Sequence, residues 1–417
     1  MNNEWNKLDN AAKIFPAAQS KKDTQVFRFS CVLKKNVDKN LLQKATEETL
    51  EEFTIFKSIL RRGFFWYYLE NSDIKPIVCE EYKSPCSLIY EKNNHRLLFE
   101  VTYYKNRINL EVFHVLTDGT GAMNFLRTLV SKYLSYAENT KEYETDYDAS
   151  NSQKSDDSFS KYYSGKISLK QEKNKTAYKI TGRRFFDSRL KVIIGTVSVK
   201  QCIEEAHKYG VTLTAFLAAV LVKSIISEIP VRAKGKKPVT ILIPVNLRNF
   251  FPSVSARNFF CLTYIKYDIA KHGEDFSTIA EVMNNQLKDK LKSEKLLSTI
   301  DTYSYVERNV ITRLIPLAVK DIFLRMAYRM SGKAVTATLS NIGIAKMPDE
   351  LMKYIERFDV CISTDKLQLC SCSCGDTLSL GFTSLFVSSD IEMRFFRELT
   401  SRGIDVEITS NVNYDNY

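Results

Sequence analysis

The stretch INLEVFHVLTDGTGAMNFLRTLV, residues 108–130, decides the fold of this chain because the hydrophobic period changes within it. Three aliphatic residues and His114 alternate along its first part, so they share one face of a predicted strand. After Asp118 and Gly119 the apolar residues recur every three or four positions, which predicts a helix. A strand, an Asp-Gly turn and a helix would hold the imidazole of His114 and the carboxylate of Asp118 rigidly at one corner.

The residue types at this corner allow several kinds of chemistry. A buried imidazole could act as a general base toward a hydroxyl or an amine. Asp118 could orient that imidazole as in a hydrolase triad, although the sequence has no G-x-S-x-G nucleophile motif. His114 and Asp118 could also be metal ligands, but no third ligand lies nearby in the sequence, and we expect no metal. The remaining interpretation is a histidine that only packs at a strand end.

Length and element patterns predict the organisation of the chain. Its 417 residues suggest two domains. We place an N-terminal lobe carrying the motif at residues 1–180 and a C-terminal lobe at residues 181–417. The polar stretch 138–176 predicts a linker or mobile loop. Strand and helix patterns occur in both lobes, with mostly antiparallel signals, so the predicted class is α/β.

Composition limits the possible partners. The net charge of +11 fits an ordinary solvated surface, or a partner with phosphates or an acidic face, such as coenzyme A, a carrier protein or anionic lipid. No zinc-finger spacing or RNA-binding aromatic signature occurs, so we expect no nucleic acid. No apolar run reaches the roughly 18 residues of a membrane helix. The N-terminus lacks the pattern of a signal peptide, and we expect a cytoplasmic location.

Cysteines and the other histidines have simpler interpretations. The odd number of cysteines, nine, favours reduced thiols. Cys370, Cys372 and Cys374 alternate along a predicted strand and are expected to be small core residues. The other three histidines lie among polar residues and are expected at the surface. They are His95, His207 and His272.

Several segments together resemble one known group of enzymes. The sequence HVLTDG, residues 114–119, matches the His-x3-Asp-Gly motif of the chloramphenicol acetyltransferase-like superfamily. That group includes alcohol acetyltransferases and the condensation domains of nonribosomal peptide synthetases. LDNAAKIFP at 8–16, IPVNLR at 243–248, ARNFF at 256–260 and LSNIG at 339–343 resemble further segments of these proteins. The resemblance spans nearly the whole chain.

The resemblance implies a fold and roles for individual residues. It implies two lobes, each a mixed, mostly antiparallel sheet flanked by helices, with a tunnel between them and His114 as general base at its centre. Asp118 would be structural and paired with Arg248, and Gly119 would allow the close turn. Residues for substrate binding or oxyanion stabilisation are expected among Asn258, Ser340 and Asn341.

The implied activity is acyl transfer. We expect a monomeric enzyme of the alcohol O-acetyltransferase type, which moves an acetyl or fatty acyl group to an alcohol or amine acceptor. The donor would be a thioester of coenzyme A or of an acyl carrier protein, and no further cofactor is expected. Two alternatives stay open: a carrier-dependent, amide-forming condensation enzyme, and an inactive member that binds an acyl carrier or a ligand. Phe113 replaces the first histidine of the double histidine that many members have, and Ala256 and Arg257 stand where glycine is common.

Overall fold

The computed structural model describes residues 5–92, 94–143, 157–165, 175–309 and 313–412. Within them the chain forms a mixed α/β structure with three sheets flanked by helices. The strands are β1 (Trp5–Lys7), β2 (Val26–Leu33), β3 (Ser58–Arg62), β4 (Tyr67–Asn71), β5 (Cys79–Glu80), β6 (Phe99–Tyr104), β7 (Arg107–Phe113), β8 (Lys191–Ser198), β9 (Val239–Asn246), β10 (Phe260–Tyr267), β11 (Ala337–Ile344), β12 (Ile355–Ile362), β13 (Leu367–Cys374), β14 (Thr377–Ser384) and β15 (Glu407–Ser410).

Helices cover the faces of these sheets. Several of them begin directly after a residue whose side chain caps the first turn. Asp38, Ser198 and Thr212 each accept a hydrogen bond from a backbone N–H of the first turn that follows. The helices are α1 (Phe15–Ala18), α2 (Lys39–Glu52), α3 (Gly119–Ala137), α4 (Ser158–Lys161), α5 (Val199–Lys208), α6 (Leu213–Glu228), α7 (Ile269–His272), α8 (Phe276–Lys290), α9 (Ser293–Arg308), α10 (Leu317–Gly332), α11 (Asp349–Met352) and α12 (Asp390–Thr400).

The motif strand β7 lies at the centre of a five-stranded sheet with the order β12-β2-β7-β6-β5. All its pairings are antiparallel except that of β5 with β6. One face packs against α3 through an aromatic cluster in which Phe56 and Phe125 stack at a centroid distance of 4.3 Å. On the opposite face Glu111 accepts a hydrogen bond from the guanidinium of Arg28 at 2.8 Å. The predicted division of the β7 side chains between two faces is confirmed.

The second large sheet has seven strands in the order β10-β9-β11-β13-β14-β8-β15. Strands β9 and β11 are parallel and pair only at Ala337 and Thr338, where they meet Ile241 and Leu242. Beyond these residues the two strands separate, which opens the sheet beside the motif. The almost uniformly apolar helix α6 packs between α8 and α12 and is buried there. The sheets are mostly antiparallel, as the sequence predicted.

One strand crosses between the two halves of the chain. Strand β12 comes from the C-terminal half but pairs with β2 in the sheet that contains β7. Its Val360 carbonyl also lies where a β-carbon at Gly381 of the seven-stranded sheet would clash, so the two sheets approach closely there. The division at residue 180 stays a prediction for the domains, and β12 crosses it to join the sheet of the N-terminal half.

The polar stretch 138–176 differs in part from its predicted role as a linker. Residues 157–165 contain α4, and Phe159 is fully buried with its ring 5.3 Å from that of Phe259. The mobile-loop interpretation is therefore wrong for this piece, because one aromatic residue anchors it beneath the loop that precedes β10, and its role as a linker stays a prediction. Residues 144–156 and 166–174 lie outside the described residues.

Two other expectations concern helices and thiols. Across the described ranges no single helix has the length and apolarity needed to cross a membrane; α5 and α6, bent by 80° at their junction, reach that threshold only when taken together. The nine cysteines are free, and Cys370, Cys372 and Cys374 are buried in β13, which confirms them as core residues. His95 and His207 are exposed as predicted, whereas His272 is half-buried beside Tyr267.

Candidate active site

His114 lies directly after the end of β7, where the five-stranded sheet meets an internal cavity. Its backbone N–H donates to the carbonyl of Gln25 at 2.9 Å, which fixes the chain at this point. The imidazole stacks on the ring of Phe15 at a centroid distance of 4.4 Å and meets the edge of Phe27 at 4.9 Å. These rings fix the plane of the imidazole, and its exposed part faces the cavity.

The position of Asn258 determines which nitrogen of the imidazole carries a proton. Nδ1 of His114 lies 3.1 Å from Oδ1 of Asn258. Nδ2 of the same amide donates to Oδ2 of Asp9 at 3.1 Å, which orients the amide with its oxygen toward the histidine. Because an amide oxygen can only accept, we assign the proton to Nδ1 and the basic lone pair to Nε2.

Asp9 anchors this arrangement from beneath. Its Oδ1 accepts the backbone N–H of Ala12 at 2.7 Å, and its Oδ2 lies 3.7 Å from Nε of Arg257. Burial raises the pKa of the Asp9 carboxyl to about 6, although the positive charge of Arg257 opposes that rise. The sequence did not identify Asp9 as a site residue, since its only signal was a position inside the N-terminal segment 8–16.

The environment keeps the imidazole of His114 neutral. Burial lowers its pKa below the ordinary value of 6.5, and the negative charge of Asp118 only partly opposes this. Desolvation disfavours the charged form of a base, so the proton is released more readily than in water. At neutral pH the ring is therefore unprotonated at Nε2 and able to accept a proton.

Asp118 is a structural residue of the turn and does not orient the histidine. Its Oδ1 accepts the backbone N–H groups of Thr120 and Gly121, each at 3.1 Å, and so caps helix α3. Its Oδ2 accepts Nη1 of Arg248 at 2.7 Å and the backbone N–H of Phe259 at 2.8 Å. Four donors thus occupy the carboxylate, and the side chain that contacts the Nδ1 of His114 belongs to Asn258. A triad in which Asp118 orients the imidazole is not formed.

Arg248 connects the motif to the loop that carries Asn258. Besides Asp118, its guanidinium donates to the carbonyl of Ser255 at 2.8 Å and to that of Arg257. The side chains of Arg248 and Asp118 are both largely buried. The ion pair therefore fixes the distance between the start of α3 and the loop 250–258, and with it the position of the amide that contacts His114.

Gly119 does not have the role predicted for it, and a second glycine in the first turn of α3 is the more tightly constrained. Gly119 is the first residue of the helix and has no left-handed backbone conformation, so the turn itself does not require glycine. A β-carbon there would lie 3.1 Å from Cδ1 of Ile342 on β11. At Gly121 a β-carbon would lie 2.1 Å from Oγ1 of Thr117 and 2.2 Å from the carbonyl of Ala256. Gly121, which the sequence did not single out, is thus the sterically obligatory glycine.

Ser340 and Asn341 lie across the cavity, on β11. A register shift between Asn341 and Gly343 leaves Ile342 out of the ladder with β13, and Gly343 adopts a φ of +90°. Nδ2 of Asn341 donates to Oγ1 of Thr214 at 2.8 Å, and its Oδ1 accepts the N–H of Gly343 at 3.0 Å. Among the described residues, the Ser340 hydroxyl has no hydrogen-bond partner and faces the cavity.

The cavity that contains His114 has a volume of about 1670 Å³ and lies between the two large sheets. Phe27 and Phe29 of the five-stranded sheet form one wall, and Leu242 and Thr338 of the seven-stranded sheet form another. Within the described part of the chain, three aspartates and a larger set of basic residues contribute to its walls. The basic residues are Lys13, Lys22, Lys179, Arg184, Lys237, Lys320, Arg329, Lys333 and Lys366.

The described residues contain no group of three or more His, Cys, Asp or Glu side chains placed to hold a metal ion. Asp118, the second residue of the possible metal pair, has both oxygens occupied by the donors named above. Metal binding by His114 and Asp118 therefore has no support in the arrangement of these side chains.

Comparison with solved structures places the chain in a fold class. The trichothecene 15-O-acetyltransferase TRI3 from Fusarium sporotrichioides covers 95% of this chain and 94% of its own, with 9% identity and a TM-score of 0.63. F. graminearum TRI101 complexed with ethyl coenzyme A covers 97% and 99%, with 12% identity and a TM-score of 0.64. The starter condensation domain of rhizomide synthetase RzmA covers 96% of each chain, with 12% identity and a TM-score of 0.59.

These matches confirm the chloramphenicol acetyltransferase-like fold that the sequence indicated. The model of the family described as alcohol acetyltransferase matches residues 92–357, well over half of the chain. No curated protein sequence matches this chain. The chain belongs to the alcohol acetyltransferase family and is an acyltransferase.

Proposed function

We propose that this protein transfers an acyl group from a thioester donor to a hydroxyl or amine acceptor, with His114 as the general base. The observation that carries the proposal is the state of the imidazole in the cavity. Its pKa is lowered by burial, and its Nδ1 contacts the oxygen of an amide that Asp9 orients. The basic Nε2 is thereby available for a reacting proton.

The reaction follows from that geometry. The acceptor oxygen or nitrogen attacks the carbonyl carbon of the thioester while Nε2 of His114 removes its proton. The carbonyl oxygen takes the negative charge of the tetrahedral intermediate. When the intermediate collapses, the C–S bond breaks and the imidazolium returns the proton to the leaving sulfur. The products are an ester or amide and a free thiol, and the histidine is neutral again.

A donor for the oxyanion is needed in this scheme, and Ser340 fits it better than the other two predicted residues. Asn258 uses its amide to contact His114 and Asp9. Asn341 is engaged with Thr214 and Gly343. The hydroxyl of Ser340 lines the cavity and is free to donate to an oxyanion.

The size and charge of the cavity support a large, phosphate-bearing donor. Sites for single drug-sized ligands are typically about 300–1,000 Å³, so 1670 Å³ leaves room for a donor arm and an acceptor together. The excess of basic over acidic residues in its walls favours coenzyme A, which carries phosphates, over a neutral thioester. A phosphopantetheine arm on a carrier protein shares this chemistry.

One experiment tests the proposal and separates its alternatives. The purified protein is incubated with acetyl and longer-chain acyl-CoAs, with the matching acyl N-acetylcysteamine thioesters, and with the same acyl groups on a carrier protein, each with mixed alcohols or mixed amines. Thiol release and the acylated product are measured together. We expect acceptor-dependent thiol release with acyl-CoA and much weaker release with the phosphate-free donor. Product only with amines would identify the amide-forming alternative, and no turnover with any pair, including carrier-bound donors, would contradict acyl transfer.

A further inference from the structure

Helix α10 turns its apolar side away from the protein. Val319, Ile322, Phe323, Met326 and Met330 are spaced three, four, seven and eleven residues from the first of them, which places them on one side of the helix. We call them the outer stripe. All five side chains are exposed, with Ile322 exposed to 64%. A surface helix normally directs such a stripe into the core.

The inner side of the same helix is held by polar contacts. The buried carboxylate of Asp321 accepts a hydrogen bond from the hydroxyl of Tyr67 at 2.9 Å. Tyr328 donates to Oδ2 of Asp23 at 2.8 Å, and Nε of Arg325 donates to the carbonyl of Ala17 at 3.0 Å. These bonds hold the inner side of the helix against the protein, and the outer stripe on the opposite side is therefore exposed.

The turn between β3 and β4 extends the same apolar surface. Phe64, Phe65 and Trp66, here called the hairpin tip, are exposed, Phe64 to 72%. The carbonyl of Phe64 accepts the N–H of Leu317 at 2.9 Å, which ties the tip to the first residue of α10. The Nζ of Lys320 donates to the carbonyl of Phe65 at 3.1 Å and lies 3.5 Å from the ring centroid of Trp66. Tip and stripe therefore form one continuous face.

Positive charge surrounds this face. Lys320 and Arg329 flank the outer stripe on opposite sides of the helix, by their positions in the helical repeat. Residues 313–333 contain five Lys or Arg and a single acidic residue, Asp321, which is buried. Arg61 and Arg62 precede the hairpin tip; Arg61 is ion-paired with Glu70, and the half-exposed Arg62 lies 3.8 Å from the carboxylate of Asp321. An apolar stripe with basic flanks is the pattern of helices that lie in the plane of an anionic membrane surface.

We propose that the outer stripe and the hairpin tip bind the surface of an anionic phospholipid bilayer. The stripe and the three aromatic residues enter the headgroup region, where Trp and Phe side chains are favoured, and the flanking basic residues contact lipid phosphates. Exposed apolar faces of this kind mark interaction sites. The absence of exposed carboxylates along residues 313–333 selects a negatively charged partner over a second copy of this basic chain.

The proposed membrane face adjoins the opening of the cavity. Trp66 and Phe323 of this face, and Lys320 at its flank, also line the cavity that contains His114. Membrane binding would therefore bring the cavity against the bilayer, from which an apolar substrate could enter without crossing water. Lipid binding itself does not depend on the acyl transfer proposed above, and its test has no catalytic readout.

The test uses the full-length protein and sedimenting vesicles of pure phosphatidylcholine or of phosphatidylcholine with roughly 30% phosphatidylserine. The variant carries Phe64→Ser, Ile322→Ser and Met326→Ser, three exposed positions that do not line the cavity. The matched control carries Ile77→Ser, Phe186→Ser and Val231→Ser, which are more exposed than the three changed residues and lie outside both segments. Thermal unfolding confirms that both variants are folded.

We expect wild type and control to bind the anionic vesicles alike, and the variant to need at least ~30-fold more lipid for half-binding. Binding should weaken when NaCl is raised from about 0.05 M to about 0.5 M, because salt screens the basic flank. Wild type that stays in solution with anionic vesicles, or a variant that binds as wild type does, would overturn the proposal. So would binding that is equal on neutral vesicles and insensitive to salt.

A second measurement needs no change within the face. The chain has two tryptophans, so Trp5→Phe leaves Trp66 as the only indole reporter. Anionic vesicles should shift its emission to the blue, and brominated lipids should quench it. Unchanged emission would contradict insertion of the hairpin tip. Wild type that is dimeric in solution and becomes monomeric in the triple variant would assign the face to a second copy instead.

Discussion

Replacement of Asp118 by asparagine isolates the ion pair that holds the active-site loop. The asparagine oxygen keeps the cap on Thr120 and Gly121, both at 3.1 Å in the wild type. The amide nitrogen then replaces Oδ2 and faces two donors, Nη1 of Arg248 and the N–H of Phe259. Breaking a buried pair from one side typically costs about 3–5 kcal/mol, because the other charge stays buried. A typical protein has a free energy of unfolding of roughly 5–15 kcal/mol, so this loss is a large part of it.

The assay is urea unfolding followed by fluorescence and circular dichroism. Asp118→Asn should lower the unfolding midpoint with little change in the slope m. The control is Asp187→Asn, whose partner Arg189 lies 3.2 Å away with both side chains about half exposed. Surface changes of this kind usually stay within about 0.5 kcal/mol.

A double-mutant cycle with Arg248→Met decides whether the two residues interact. Arg248→Met also removes the hydrogen bonds to Ser255 and Arg257, so its own cost is not the value of the pair. The double variant should lose less free energy of unfolding than the two single variants lose together, by roughly 0.5–3 kcal/mol. Additive losses of free energy would refute the pairing as the cause of the destabilisation.

Three further predictions follow from the site. The value of kcat/KM should rise with pH through an apparent pKa below the ordinary 6.5 of histidine and be constant above it. The reason is that protonated His114 cannot act as base and that burial lowers its pKa. An apparent pKa above 7 with an intact fold would contradict this. Asn258→Ala should lower kcat about 10²-fold with little change in KM, since the imidazole loses the group that orients it, and a change confined to KM would instead indicate substrate binding. Gly121→Ala should lower the free energy of unfolding by about 1–3 kcal/mol, whereas Gly182→Ala, whose nearest contact would be 3.4 Å, should be nearly neutral; equal effects would refute the steric argument.

Local pattern was sufficient for the part of the site that lies within one stretch of sequence. The change of period around residues 108–130 correctly predicted a strand, a corner and a helix, and it placed His114 on the apolar face. The contact between Asp118 and Arg248 was expected only from the resemblance, since 130 residues separate them. The carboxylate in fact has two functions, because the same Asp118 caps α3, and its position before the helix was a signal for that cap.

Contacts between distant segments could not be predicted from the sequence. Nothing in the segment around Asp9 indicates that it meets Asn258, or that this pair determines the proton position on His114. Gly121 is obligatory because of the Ala256 carbonyl, which comes from another part of the chain. The period of α10 predicts an apolar stripe but not its direction, which depends on the inward contacts of Asp321 and Tyr328.

The most direct test of the central claim is the rate of acyl transfer by His114→Ala. His114 makes ring contacts with Phe15 and Phe27, so circular dichroism and thermal unfolding must first show that the variant is folded. With the best donor and acceptor from the panel, removal of a general base should lower kcat about 10²–10⁴-fold. A folded variant that keeps nearly the wild-type rate would contradict the account and leave His114 as a packing residue.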